Sequence, residues 1–74
     1  MEIIRNFVKE YRSERGISQN DLALRVGVTR QTIISLEKGN YIQSLLLAMN
    51  LSAVLDVPIE RLFVKEFVQN GNRI

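Results

Sequence analysis

Apolar positions recur with a helical period along most of this chain, and short interruptions bearing glycine, serine, threonine or proline divide it into five segments. Ile4, Val8 and Tyr11 share helical spacing over residues 4–14, and Gly16 stands just past the point where that helix would end. Ser18 offers an N-cap to a second helix in which Leu22, Ala23 and Val26 form the inner stripe, with Asp21 in the first turn and Gly27 at the end. Thr29 is the next cap; Val28 before it and Ile33 after it have the spacing of a hydrophobic staple, Ile33 and Leu36 point inward together, and Gly39 closes the helix. Ser44 caps a fourth helix through Leu55, with Leu45, Ala48, Leu51 and Leu55 as its inner residues. Pro58 fits the first turn of a short fifth helix reaching Phe63, because its missing N–H would be unbonded there.

Residues 64–74, VKEFVQNGNRI, match neither period well. Val64, Glu66 and Val68 alternate with Lys65 and Phe67, which favours a short strand pairing with Met1 to Ile4, followed by a frayed end after Asn70-Gly71. The expectation is an all-α fold of five helices, with a short ribbon joining the N- and C-terminal segments. One domain over residues 1–74 suits this length.

The polar side of the third helix is unusual. In GVTRQTIISLEKG, residues 27–39, the inward pair Ile33 and Leu36 is opposed by Arg30, Gln31 and Ser35. Two short helices joined by a tight turn at Gly27 match the helix-turn-helix unit over residues 18–38, whose second helix lies in the DNA major groove with its N-terminal residues against base edges. Arg30 and Gln31 then stand where bidentate donors read guanine or adenine, and Ser35 lies one turn beyond Gln31. Ile34, one turn beyond Arg30, either meets a thymine methyl or is an ordinary exposed apolar residue. Gln19 and Thr29, each at a helix start, are placed to hold phosphates as well as to cap, and Lys38 and Asn40 add candidate phosphate contacts.

Composition removes competing chemistries. The chain has no Cys and no His, hence no disulfide framework, thiolate nucleophile, Cys/His zinc site or imidazole base. Glu10 and Glu14 share a helix face among Arg and Lys and read as surface charge, so no enzyme, metal, cofactor or small-molecule ligand is expected. The net charge is +2, and residues 1–41 carry the surplus, with Arg5, Lys9, Arg12, Arg15, Arg25, Arg30 and Lys38 against Glu2, Glu10, Glu14, Asp21 and Glu37. That skew suits a polyanion bound by the first half. The first residues are charged too early for a secretory signal and no apolar run reaches transmembrane length, so a cytoplasmic protein without a membrane partner is expected.

The stretch ISQNDLALRVGVTRQTIISLEKGNY resembles the phage repressor/Cro-type helix-turn-helix family, also called the xenobiotic-response-element family. Ser18-Gln19, Leu22-Ala23, Gly27-Val28, Arg30-Gln31-Thr32-Ile33, Leu36-Glu37 and Gly39 match its pattern in register, and the likeness continues through SLLLAMNLSAVLDVPIERLF. The resemblance implies a lambda-repressor-like five-helix bundle binding a double-stranded DNA operator, usually as a two-fold homodimer on a palindrome, to regulate transcription, with repression the expected sign. It also implies that Gln19, Thr29, Arg30, Gln31 and Ser35 contact DNA, that Lys38 and Asn40 face phosphates, and that Arg12 and Glu37 form an internal ion pair.

The sequence departs from the family pattern where Ile42-Gln43 replace a common Asn-Pro pair and Leu46 replaces a polar residue. The added apolar surface, near where small members of the family dimerise, suggests a seam of Ile42, Leu46, Ile59 and Phe63. The same patch leaves open an antitoxin or other protein-interaction module with secondary DNA binding. An antitoxin commonly needs a long toxin-wrapping segment, and the eleven residues after Phe63 are few for that.

Overall fold

The computed structural model describes residues 1–40 and 44–69. Their elements follow in the order β1 (Glu2–Asn6), α1 (Val8–Glu14), α2 (Gln19–Val26), α3 (Arg30–Glu37), α4 (Leu45–Leu55), α5 (Ile59–Leu62) and β2 (Phe63–Phe67). Five helices thus enclose the core, and the two strands form an antiparallel sheet in which Glu2 faces Phe67, Ile4 faces Lys65 and Asn6 faces Phe63.

Capping chemistry sets most helix starts. The hydroxyls of Ser18, Thr29 and Ser44 accept from the backbone N–H groups of Asp21, Thr32 and Leu47 at 3.0, 3.2 and 3.1 Å. Each bond satisfies one of the donors that a helix start leaves unpaired. Pro58 takes the capping position of α5, where its carbonyl accepts from Arg61 and Leu62. Gly27 ends α2 in the left-handed region, at φ 76°, which lets the chain turn at once into α3.

Val8, Leu22, Val26, Ile33, Leu36, Leu51, Leu55, Val57 and Leu62 are buried together with Ala23 in one cluster, against which Tyr11, Ile17, Val28, Leu47, Val54 and Phe63 pack. The core draws on all five helices, so α3 is held by apolar contact along its Ile33 and Leu36 side.

Three sequence expectations change. The first helix begins at Val8, not at residue 4, because residues 2–6 pair with β2 and Asn6 Oδ1 accepts the Val8 N–H at 3.2 Å, turning the chain where the helix starts. The last helix ends at Leu62, since Phe63 is already extended and opens β2. Leu45, expected inward, is 73% exposed: α4 is apolar on several faces, and it meets the core from Leu47 onward. The expected frayed end after Asn70-Gly71 lies outside the described residues, as does Ile42 of the expected dimer seam.

Candidate nucleic-acid interface

The outer face of α3 is built by default. Because Ile33 and Leu36 turn inward, helical geometry turns Gln31 outward and sets Arg30 on the flank at the first position of the helix, and both are exposed. Thr29 and Thr32 are exposed beside them, their hydroxyls 3.0 Å apart. Ile34 and Ser35 are half-buried. Lys38 and Asn40 are exposed beyond the helix end, and the Asn40 amide donates to the Ser35 hydroxyl, so these two expected DNA contacts hold each other in the free protein. Among the described residues no carboxylate pairs with Arg30 or Lys38, whereas Arg25 is paired with Asp21 at 3.0 Å.

Arg12 and Glu37 face each other behind this surface. Arg12 Nε donates to Glu37 Oε2 at 2.6 Å and Nη2 to Oε1 at 3.1 Å, while Nη1 donates to the Ile17 carbonyl at 2.8 Å. The two side chains are 12% and 4% exposed, so this is a fork-shaped, largely desolvated pair. Gln19 joins it, donating from Nε2 to Glu37 Oε1 at 3.1 Å. One of the two amide protons of Gln19 is thus committed to Glu37, which leaves the second proton and the backbone N–H at the start of α2 for an anion.

Sequence reasoning passed over Asn6. Its Oδ1 accepts from Val8 N–H, and its Nδ2 donates to the Leu36 carbonyl at 2.9 Å, near the end of α3. An asparagine two residues ahead of a helix start is the local signal for the first bond; nothing local signals the second, which spans thirty residues. The residues expected at a dimer seam are apart in character: Leu46 is 67% exposed, while Ile59 and Phe63 are half-buried, Phe63 against the core.

The helix-turn-helix family profile matches residues 8–62. The chain belongs to the phage repressor/Cro-type helix-turn-helix family. It is 54% identical over 52 residues to an HTH-type transcriptional regulator of Methanothermobacter thermautotrophicus, covering 70% of this chain and 75% of that one. Among solved structures it is similar to the restriction-modification controller protein C.AhdI from Aeromonas hydrophila, with a TM-score of 0.67 and 30% identity over 73% of this chain and 82% of that one. It is equally similar to SinR of Bacillus subtilis, the master regulator of biofilm formation, solved in complex with DNA, with a TM-score of 0.66 and 35% identity over 72% and 86% of the two chains. This helix-turn-helix protein is therefore the DNA-binding domain of a transcriptional regulator, not an enzyme. Among the described residues no helix is long and apolar enough to cross a membrane.

Proposed function

We propose that the chain is a repressor that binds a palindromic operator as a two-fold homodimer and reads each half-site in the major groove with α3. The observation that carries the reading is the exposed, unpaired Arg30 beside Gln31 at the N-terminal end of α3, in a fold shared with a regulator solved on DNA. Arg30 and Gln31 are the base readers, with Ser35 and Ile34 one turn deeper along the groove. Thr29, Lys38, Asn40 and the start of α2 at Gln19 hold the phosphates and fix the register. Asn40 and Ser35 exchange their mutual hydrogen bond for contacts to DNA on docking. Leu46, together with exposed Leu45 and Met49, gives α4 an apolar outer side that supports a seam between two copies, joined by Ile59 and Phe63. Occupying an operator that overlaps a promoter then blocks transcription by exclusion.

Selection of binding sites from a random duplex library, followed by anisotropy over a salt series, tests this reading. An enriched palindrome with half-sites about one helical turn, roughly 34 Å, apart is the expected result. No enrichment, with only weak and steeply salt-dependent binding, would overturn it and turn attention to the apolar side of α4 as a protein-docking face.

A further inference from the structure

Side-chain hydrogen bonds tie the end of α3 to three other elements, whereas among the described residues those at its beginning stay within the turn, and the first inward anchor of the helix is the buried Ile33. Glu37 receives Arg12 from α1 and Gln19 from α2, and the Leu36 carbonyl receives the side chain of Asn6 from β1. The last carbonyls of a helix have no partner within it. Here the Leu36 carbonyl accepts both the Gly39 N–H, from the chain that follows, and an amide thirty residues away in sequence.

The Asn6 amide has no freedom to flip. Oδ1 accepts from Val8 and Nδ2 donates to Leu36, so each end of the amide faces a group of the opposite kind, in a part-buried setting. The strand that carries Asn6 is itself located by β2, with Asn6 opposite Phe63 and the Phe7 N–H bonded to the Leu62 carbonyl at 2.9 Å. The ribbon is therefore connected at one end to α5 and, through a single side chain, to the end of α3.

We infer that Asn6 is a positioning residue for DNA reading: it sets the tilt of α3 from the ribbon, and so places Arg30 and Gln31 against the bases without touching DNA. The lever arm is what makes one hydrogen bond matter. Ile33 is fixed in the core, so a tilt of about 10° about it moves Arg30, about 4.5 Å along the helix, by about 0.8 Å. Hydrogen bonds to base edges tolerate only a few tenths of an ångström, whereas phosphate contacts made by flexible side chains tolerate far more. Loss of the Asn6 bond should consequently cost specificity and spare non-specific affinity. This inference rests on α3 being the reading helix.

Asn6→Ser is the informative change. It is neutral, its hydroxyl can still accept the Val8 N–H as a weaker turn, and it is too short to reach the Leu36 carbonyl. Affinities for the selected operator and for a random duplex would be measured at one salt concentration for the wild type, Asn6→Ser and Gln31→Ala, with melting followed by circular dichroism to confirm that each is folded at the assay temperature. The expected result is a loss of about five- to tenfold on the operator for Asn6→Ser, with random-duplex affinity within about twofold of the wild type. Because only one hydrogen bond is lost, a variant unfolded at the assay temperature is measured at a lower one, where the same ratio applies. An unchanged ratio of operator to random affinity in Asn6→Ser, alongside a changed ratio in Gln31→Ala, overturns the positioning role and leaves the reading helix standing. Unchanged ratios in both variants overturn the reading helix and the inference with it.

Discussion

Glu37 accepts three N–H bonds from two side chains while only 4% exposed, so its neighbours are not interchangeable with surface contacts. Removing Arg12 leaves a buried carboxylate with one neutral donor, and breaking such a pair costs about 3–5 kcal/mol. A chain of this length has a total stability of about 4–11 kcal/mol, so Arg12→Ala should lose a large part of it. Denaturant titration checks this, and a loss below about 1 kcal/mol would mean that water replaces the guanidinium. Lys38 makes the opposite prediction. As an exposed, unpaired cation it should hold phosphate, so Lys38→Ala should weaken operator and random duplex alike and flatten the salt dependence by about one unit, as anisotropy over a salt series would show. At this scale the sequence was most readable where chemistry is local: Ser18, Thr29 and Ser44 sit at helix starts because a hydroxyl three residues before an open N–H can do only a few things. Gln19 shows the limit, since the committed proton of its amide depends on Glu37, eighteen residues away.

The ribbon is the element whose existence depends most on distant partners. An isolated two-stranded sheet is marginal in water, and here β1 and β2 are joined by Arg5, which donates from Nη2 to Glu66 Oε1 at 2.8 Å, and by a bond from Val68 N–H to the Met1 carbonyl at 2.7 Å. The hydrogen bond from Arg5 is the main reason that the Glu66 carboxyl lies below the usual carboxylate range. A depressed folded value means that the unfolded strand takes up a proton more readily. The contribution of the pair is thus complete above the ordinary glutamate value of about 4.3 and is lost as pH falls below it through the folded value. Both side chains are substantially exposed, so the consequence is fraying of the ribbon and not global unfolding. Amide exchange in residues 2–6 and 63–67 should quicken relative to the core between about pH 6 and about pH 3, after correction for intrinsic exchange, and Glu66→Gln should remove the change. The alternation in residues 64–68 announced a strand, but its partner's extent was hidden because Ile4, Val8 and Tyr11 mimic a helical stripe. Similarly, α4 could not declare its inner face, because a helix reading LLLAMNLSAVL offers apolar residues in several directions and only the packed neighbours choose among them.

At the scale of the whole molecule, the helix order and the turn between α2 and α3 were legible because each boundary carries its own cap or glycine, while the assembly was not, because it depends on surface that folding leaves open. That surface makes the proposed dimer testable without disturbing the monomer. Phe63 packs on the core, so replacing it would confuse assembly with folding; Leu46 is 67% exposed and can be changed at little cost to the fold. A glutamate there would be fully solvated in a monomer but would meet its own two-fold mate, or an apolar surface, at a seam. Leu46→Glu should therefore keep the melting behaviour of the isolated monomer and its affinity for a single half-site, and lose affinity for the palindrome by about tenfold or more, since a dimer's second half-site is gained through effective concentration. Sedimentation velocity over a concentration series, run beside binding to half-site and full-site duplexes, separates the possibilities. A change in palindrome binding with a matching shift towards monomer supports a seam through α4; a dimer that persists unchanged in Leu46→Glu places the two-fold contact on another face of the molecule.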